Sequence, residues 1–357
     1  MNTTIVSRRG RAVASAFAFL ALVSCGGGGG GSGTPPTPES KVFFADGGNG
    51  ALVSFSTAAP TASFPIDRVI QGPATLLPTS GILAIPSLTL DAANNRLYVA
   101  TQGNTFIFNN ISMANGNVGP NVIMSATINT GPPGNRGVNF AHNDLDRSNG
   151  KLYSVDFNGE VHVFDSPIAA PTVVSRLINP DLGAATINTT FGLALDTTKN
   201  MLYIGADFSG ASHIIVFNNA STIGTAPTTI TPVAPTRTLT FTPAVISFYL
   251  DTAGDRLYTA HSDGIVQVFD NASTLADGTT PTKNRTIDLG GNTPINTYIF
   301  VDTSRNKLYA VANVDATTGA LGIIDNASTA NEPTTTGNFF SFSNVANIAL
   351  SAIVVKP

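Results

Sequence analysis

The sequence predicts an all-β chain whose repeated units close into a ring, and three observations predict it. The dipeptide Leu-Tyr recurs at Leu97-Tyr98, Leu152-Tyr153, Leu202-Tyr203, Leu257-Tyr258 and Leu308-Tyr309, at spacings of 55, 50, 55 and 51 residues. Five of the seven tyrosines stand in this motif, the mark of an array of one supersecondary unit. Around each copy, apolar residues alternate with polar ones at the period of half-buried strands, and no amphipathic helical pattern intervenes. The two ends of the array are also offset, so that neither holds a whole unit.

Each unit reads as four strands. The first ends in an Asp, as in "FGLALD"; the second carries the Leu-Tyr pair, as in "MLYIGA"; the third is apolar, as in "HIIVFNN"; the fourth holds Thr, Arg or Ile, as in "PTRTLTF". Asp91, Asp146, Asp196, Asp251 and Asp302 stand five residues before the Arg, Lys or Met that opens the second strand. An Asp there accepts backbone N–H bonds in an Asx-turn. Asn95, Gly150, Asn200, Asp255 and Asn306 close the same turns, and these residue types tolerate the positive φ of a tight hairpin with a bulge. The recurrent carboxylates are therefore expected to fold the chain rather than to ligate metal.

The copy at the N-terminal end, "KVFFADG" from Lys41, is a second strand with no first strand before it. "NIALS", Asn347 to Ser351, reads as a first strand with no unit after it. Paired, the two complete one unit and close the ring. Closure is expected to leave no unmatched innermost strand, and each unit buries its faces against its neighbours. The predicted architecture is a six-bladed β-propeller of four-stranded antiparallel blades, one domain over residues 41–357.

Residues 1–25 are set aside as a leader. Arg8, Arg9 and Arg11 precede the apolar run "AVASAFAFLALV", whose 12 residues fall short of the roughly 20 needed to span a bilayer. Leu22, Val23, Ser24 and Cys25 resemble the bacterial lipobox. The resemblance implies export, lipidation of Cys25 and a cell-envelope location, with Gly26 resembling the following residue of outer-membrane lipoproteins. Cys25 is the only cysteine, which excludes an internal disulfide. "GGGGGGSGTPPTPES", residues 26–40, is a Gly/Pro-rich tether that reaches on the order of 20 Å. Beyond Cys25 there are 15 Lys plus Arg (18 less the three leader arginines) against 22 Asp plus Glu, a net charge of −7. With no basic cluster, the composition excludes nucleic acid as a partner. The expected partners are the membrane, through the lipid, and an envelope protein or small ligand, with the chain itself a monomer.

"LDTTKNMLYIGADFSGASHIIVFNNAST" and its siblings resemble the YVTN and NHL classes of β-propeller repeat. "RVIQGPATLLPTSGILAIPSLTLD" is similar to the inter-blade stretch of bacterial propeller lipoproteins. The likeness covers nearly all of the chain after the tether and implies a fold, not an activity.

If the first strand of a blade runs down the channel, the second returns, so the start of one and the end of the other share a face. That face gathers His142, Asn143 and Asp144, with Tyr298 and Asn347, at first-strand starts. It also gathers Asp46, Asp156, Asp207 and His261 at second-strand ends, with Asp263 just beyond. Asn143 stands where other blades carry Leu88, Leu193, Phe248, Ile299 and Ile348, and a buried amide must find partners or cost about 1–3 kcal/mol. These His, Asn and Asp side chains form a candidate ligand or metal site, with calcium or zinc as the ion classes they suit. His162 and His213 read as surface or inter-blade packing, and the three Asn-Ala-Ser triplets as turns. Motifs for haem attachment, zinc proteases, serine hydrolases and phosphate loops are absent. The expected function is a lipid-anchored envelope module for binding or scaffolding, with no cofactor. The alternative is a hydrolase similar to six-bladed metal-dependent lactonases and gluconolactonases, for which no Glu matches the channel set of that family.

Overall fold

Alternating apolar residues with many Val, Ile, Phe and Tyr form strands because one pleated face can pack while the backbone pairs laterally. The computed structural model describes residues 41–56, 66–79, 85–129, 135–228, 230–289, 297–313, 319–331, 338–342 and 350–356. The leader with Cys25, the tether and Asn347 lie outside the described residues.

Six four-strand blades result, each ordered below from its innermost strand outward. Blade 1 is Leu350–Lys356, Lys41–Asp46, Ala51–Ser56 and Arg68–Gln71. Blade 2 is Ser87–Asp91, Arg96–Ala100, Thr105–Asn109 and Val122–Met124. Blade 3 is Phe140–Asp146, Lys151–Asp156, Val161–Phe164 and Arg176–Pro180, with the short strand Pro232–Val233 added in parallel at its edge. Blade 4 is Thr189–Asp196, Met201–Phe208, Ala211–Asn218 and Arg237–Phe241. Blade 5 is Val245–Asp251, Arg256–His261, Ile265–Asp270 and Arg285–Asp288. Blade 6 is Thr297–Asp302, Lys307–Asn313, Gly319–Asp325 and Asn338–Phe342. Each innermost strand touches the innermost strands of both neighbours, and the sixth touches the first, so the ring is closed. Among the described residues no helix is long and apolar enough to cross a membrane.

The tail does lie beside the head, but in a different register from the one the sequence suggests. Val42 pairs with Val355, Phe43 with Val354 and Phe44 with Ile353. Ile353, not Ile348, therefore takes the place of Leu88, and the closing strand runs from Leu350 to Lys356. The match of "NIALS" to the Asp-ending strands misleads because the closing strand pairs with Lys41–Asp46, far off in the sequence, and not through an Asp turn with the strand that follows it. "AIVVK" gives a better apolar pairing.

Six hydrophobic clusters fill the six gaps between neighbouring blades. The five Leu-Tyr tyrosines are each no more than 2 % exposed and are the largest fully buried side chains. A lone blade would leave both faces wet, which is why the repeat is needed.

The turns follow their expected chemistry. Asp91 accepts from Asn94 N, Asp196 from Lys199 N, Asp251 from Gly254 N, and Asp146 and Asp302 from the two residues before the last of each turn. Asn95, Gly150, Asn200, Asp255 and Asn306 all have positive φ, from 51° to 66°. A second function of these residues is visible only in the structure. The side-chain oxygens of Asn95, Asn200, Asp255 and Asn306 accept the N–H of Ser112, Ser221, Ser273 and Ser328, at 2.7–3.1 Å. The serine turns after the third strand recur because this latch needs them, and their asparagines 110, 219, 271 and 326 are left-handed turn residues.

Closure gives each innermost strand its partner, as expected, and leaves the other edge of each facing the channel. Side chains of the preceding blade bond backbone groups on or beside those edges. Ser351 Oγ donates to Ile85 O at 2.6 Å and Thr89 Oγ1 to Asn143 O at 2.7 Å. Asp144 accepts Leu195 N at 2.8 Å, and Ser212 Oγ accepts Val245 N at 3.0 Å. Ser247 Oγ donates to Thr297 O at 2.9 Å, and Asn313 bonds both Leu350 N and Leu350 O. All six junctions carry such a bond, so polar residues at the channel have a structural duty at buried backbone groups.

Candidate functional site

The innermost strands enclose a cavity of about 640 Å³. Phe191, Phe248, Tyr249, Tyr298 and Phe300 contribute aromatic walls, and His142, Asn143, Asp144 and Arg147 its principal polar lining. A concave pocket of this size, its lining almost evenly polar and apolar and with several polar groups converging on it, is a candidate ligand site.

Each of the three residues read as central to the site is held by protein groups. His142 is 8 % exposed, and its Nε2–H donates to Thr190 O at 3.3 Å. Burial disfavours the imidazolium and lowers its pKa to about 4. Asn143 is 5 % exposed; its Oδ1 accepts from Ser154 Oγ at 2.6 Å, and its Nδ2 donates to Thr105 Oγ1 at 3.1 Å. Its own N–H donates to Ser87 Oγ at 3.3 Å. Asp144 takes Leu145 N and Leu195 N on its two oxygens, each at 2.8 Å. Burial raises the Asp144 pKa, and the Arg147 guanidinium and those N–H bonds act against the rise. Tyr298 lines the same cavity, its pKa pushed up to about 12 by burial.

The second-strand ends share a rim but do not enter the cavity lining. Asp46 folds its own turn, accepting Gly48 N at 3.1 Å and Asn49 Nδ2 at 2.7 Å. Asp207 accepts from Ser212 Oγ at 2.6 Å, and burial raises its pKa. His261 donates from Nδ1 to Pro243 O at 2.8 Å and accepts at Nε2 from Thr259 Oγ1 at 2.7 Å, and burial lowers its pKa. Asp263 accepts Ile265 N at 3.1 Å in a turn. Asp156 is joined to the His142 region through Thr190, whose Oγ1 donates to Asp156 O at 3.2 Å.

The structure also adds two residues that sequence reasoning does not group with the site, Glu160 and His162. With Asp156 they place one ligand atom each within 4.8 Å of one another. His162 is fully buried rather than a surface residue. The signal is present in the sequence as Asp156, Glu160 and His162 around a short hairpin turn, where alternation returns them to one face. His213 stacks on Phe208 at 3.8 Å between ring centroids, a packing role.

No protein-family model matches the chain, and no curated protein matches it. Solved structures do. A chain of the nidogen/laminin complex is 13 % identical, with a TM-score of 0.51 over 89 % of this chain and 98 % of that one. The β-propeller domain of Cps50 (Swd1) from Myceliophteria thermophila is 12 % identical, with a TM-score of 0.49 over 84 % of this chain and 82 % of that one. At such identities the likeness speaks for fold alone, and the first of them agrees with the ring of blades described above: the chain is a six-bladed β-propeller.

Proposed function

We propose that the protein is a lipid-anchored β-propeller of the bacterial cell envelope, of the YVTN/NHL repeat type, that acts as a binding or scaffolding module. The observation that carries this reading is the commitment of the channel's polar groups. Asn143, Asp144 and Ser247 hold backbone or side chains of adjoining strands, so they stiffen the cavity instead of standing ready to exchange protons with a substrate. What the channel offers a partner is shape and aromatic surface on a rigid ring, the means of recognition without turnover. The hydrolase alternative has less support at the channel mouth, where the residues that would hold an ion are engaged by protein. The lipobox and the net negative charge support attachment through lipid at Cys25, outer-membrane placement, and a protein or small-molecule partner.

Expression of the full chain in a bacterial host tests the anchor. Wild type should take up labelled palmitate and enter the detergent phase, and Cys25→Ser should do neither. Equal labelling of the two would remove the anchor from the proposal. A photo-crosslinking amino acid at Tyr298 tests the channel and should give a discrete adduct in cells. Adducts indistinguishable from those formed at the exposed Asp181 on an outer strand's flank would argue against channel recognition.

A further inference from the structure

The polar row that begins at Asn143 and Ser154 continues outward to His162, the residue opposite Ser154 in the next strand. Asp156 N–H donates to Glu160 O at 3.0 Å and closes the hairpin, so the carboxylates of both stand at its tip beside the imidazole. Asp156, Glu160 and His162 are 1 %, 9 % and 0 % exposed. They lie on the face of blade 3 that meets blade 2, with the ring of Phe140 edge-on to the imidazole at 5.8 Å.

Two observations together point to an ion. The imidazole is fully buried, and its Nε2 is the nitrogen that faces the Asp156 carboxylate, while Nδ1, on another edge of the ring, has no hydrogen-bond partner among the described residues. Its Nε2 stands 3.5 Å from Asp156 Oδ2, longer than the roughly 2.7–3.2 Å of a sound N–H···O bond. That separation is instead close to the approximately 3.4 Å edge between two ligands of a tetrahedral ion with bonds of about 2.0–2.1 Å. The carboxylate is also oriented: Asn158 N and Glu160 N donate to Asp156 Oδ1 at 2.9 and 3.0 Å, which leaves Oδ2 facing both the ring and Asn158 Nδ2, each at 3.5 Å. Outer bonds of this kind fix a ligand's orientation.

We propose that Asp156, Glu160 and His162 bind one zinc-class divalent ion at the interface of blades 2 and 3. One imidazole nitrogen with two carboxylates is a donor set for borderline transition ions. Calcium, which takes six to eight oxygens, is poorly served by it. Three protein donors leave a fourth position open, as in sites that bind a further ligand rather than closed structural centres. Gly159 holds the hairpin tip: a Cβ there would stand 2.1 Å from Ile187 Cδ1, at a φ of +85°. This site does not depend on the channel reading, since none of its three residues lines the cavity.

The test uses the full chain purified in detergent, with zinc chloride and cobalt chloride as the probes. After chelator treatment and dialysis, wild type should take up one zinc per chain, and cobalt should give the visible absorption of a low-coordinate site. Glu160→Gln and His162→Gln should each weaken zinc binding by at least about tenfold and abolish the cobalt spectrum, and His213→Gln should change neither. If His162→Gln does not fold, Glu160→Gln decides, because it keeps the side chain's size. Absence of saturable zinc uptake by wild type, or uptake by Glu160→Gln equal to that of wild type, would overturn the proposal.

Discussion

Blades 3 and 4 are neighbours cut from the same repeat, and they solve the same packing problem differently. On the face toward the preceding blade, blade 4 sets Leu193, Ile204 and Ile215 side by side across its three inner strands. Blade 3 sets Asn143, Ser154 and His162 there. Blades 1, 2 and 6 put only apolar residues or glycine at these places, and blade 5 is mixed, with Phe248, Thr259 and Gln267. Blade 3 also lacks the latch: Gly150 stands where Asn200 accepts Ser221 N, and its third strand is followed by Asp165-Ser166-Pro167 instead of an Asn-Ala-Ser turn. A cavity of about 310 Å³ lies at that place, lined by Arg96, Arg147 and Asp165 among others. The lesson is that a repeat constrains every blade by default, so the blade that departs from it at several linked positions is the one under another demand.

The comparison breaks most readily on the apolar side. Ile204→Ser gives blade 4 one member of blade 3's row without its partners, removing buried methyl groups and leaving a hydroxyl among Leu193 and Ile215. The expected loss is about 4 kcal/mol, from cavity formation and an unpaired polar group. Denaturant midpoints measure it. A cost no greater than that of Ser154→Ala would mean that the two rows are energetically interchangeable and that blade 3's polarity needs no explanation.

Much of this architecture is legible without coordinates, because repeats convert chemistry into spacing. The Asp turns, the positive-φ residues and the blade count follow from residue types that have few other uses. The closing strand is displaced by five positions from the sequence reading, since "NIALS" and "AIVVK" carry the same alternation and only pairing against Val42, Phe43 and Phe44 separates them. Asn143 stands out because it interrupts an apolar column. His162 does not, because a histidine in a third strand looks alike whether it packs or ligates. What makes the difference is its surroundings, Ser154 opposite it in the second strand and the Asp156 and Glu160 carboxylates at the hairpin tip, and the third strand by itself does not record them.

A change of pH sharpens the same contrast from the channel side. His142 takes the place that Ser87 and Ser247 hold in blades 2 and 5, and burial lowers its pKa from 6.5 to about 4. The folded chain therefore binds fewer protons than the unfolded chain between those values. Stability is complete above about pH 6.5 and falls as the pH drops toward 4, by on the order of 3 kcal/mol from this group. Burial of Asp144 and Asp207 raises their pKa values and opposes the trend, so the useful quantity is the difference between wild type and His142→Ser. The variant should lose markedly less stability between pH 7 and 4.5. Parallel stability curves for the two proteins would mean that His142 is not held neutral by the fold.

The smallest effect is expected where blade 3 is rewritten in the language of its neighbour. Asn143→Leu alone strands Ser154 Oγ and Thr105 Oγ1, both buried and both bonded to the amide, and should cost about 2 kcal/mol. Adding Ser154→Val reproduces the Leu88-Val99 pair of blade 2, and Thr105→Val removes the last unpaired hydroxyl. The backbone of position 143 keeps its bonds to Ser87 and Thr89 throughout, because those involve its N–H and carbonyl rather than its side chain. Removing both partners of a buried bond is nearly neutral where removing one is costly. The triple variant should therefore return to within about 1 kcal/mol of wild type, a coupling that double-mutant cycles isolate. Strictly additive losses would show that the row is held by shape, and that blade 3 differs from blade 4 in its packing volume and not in its polarity.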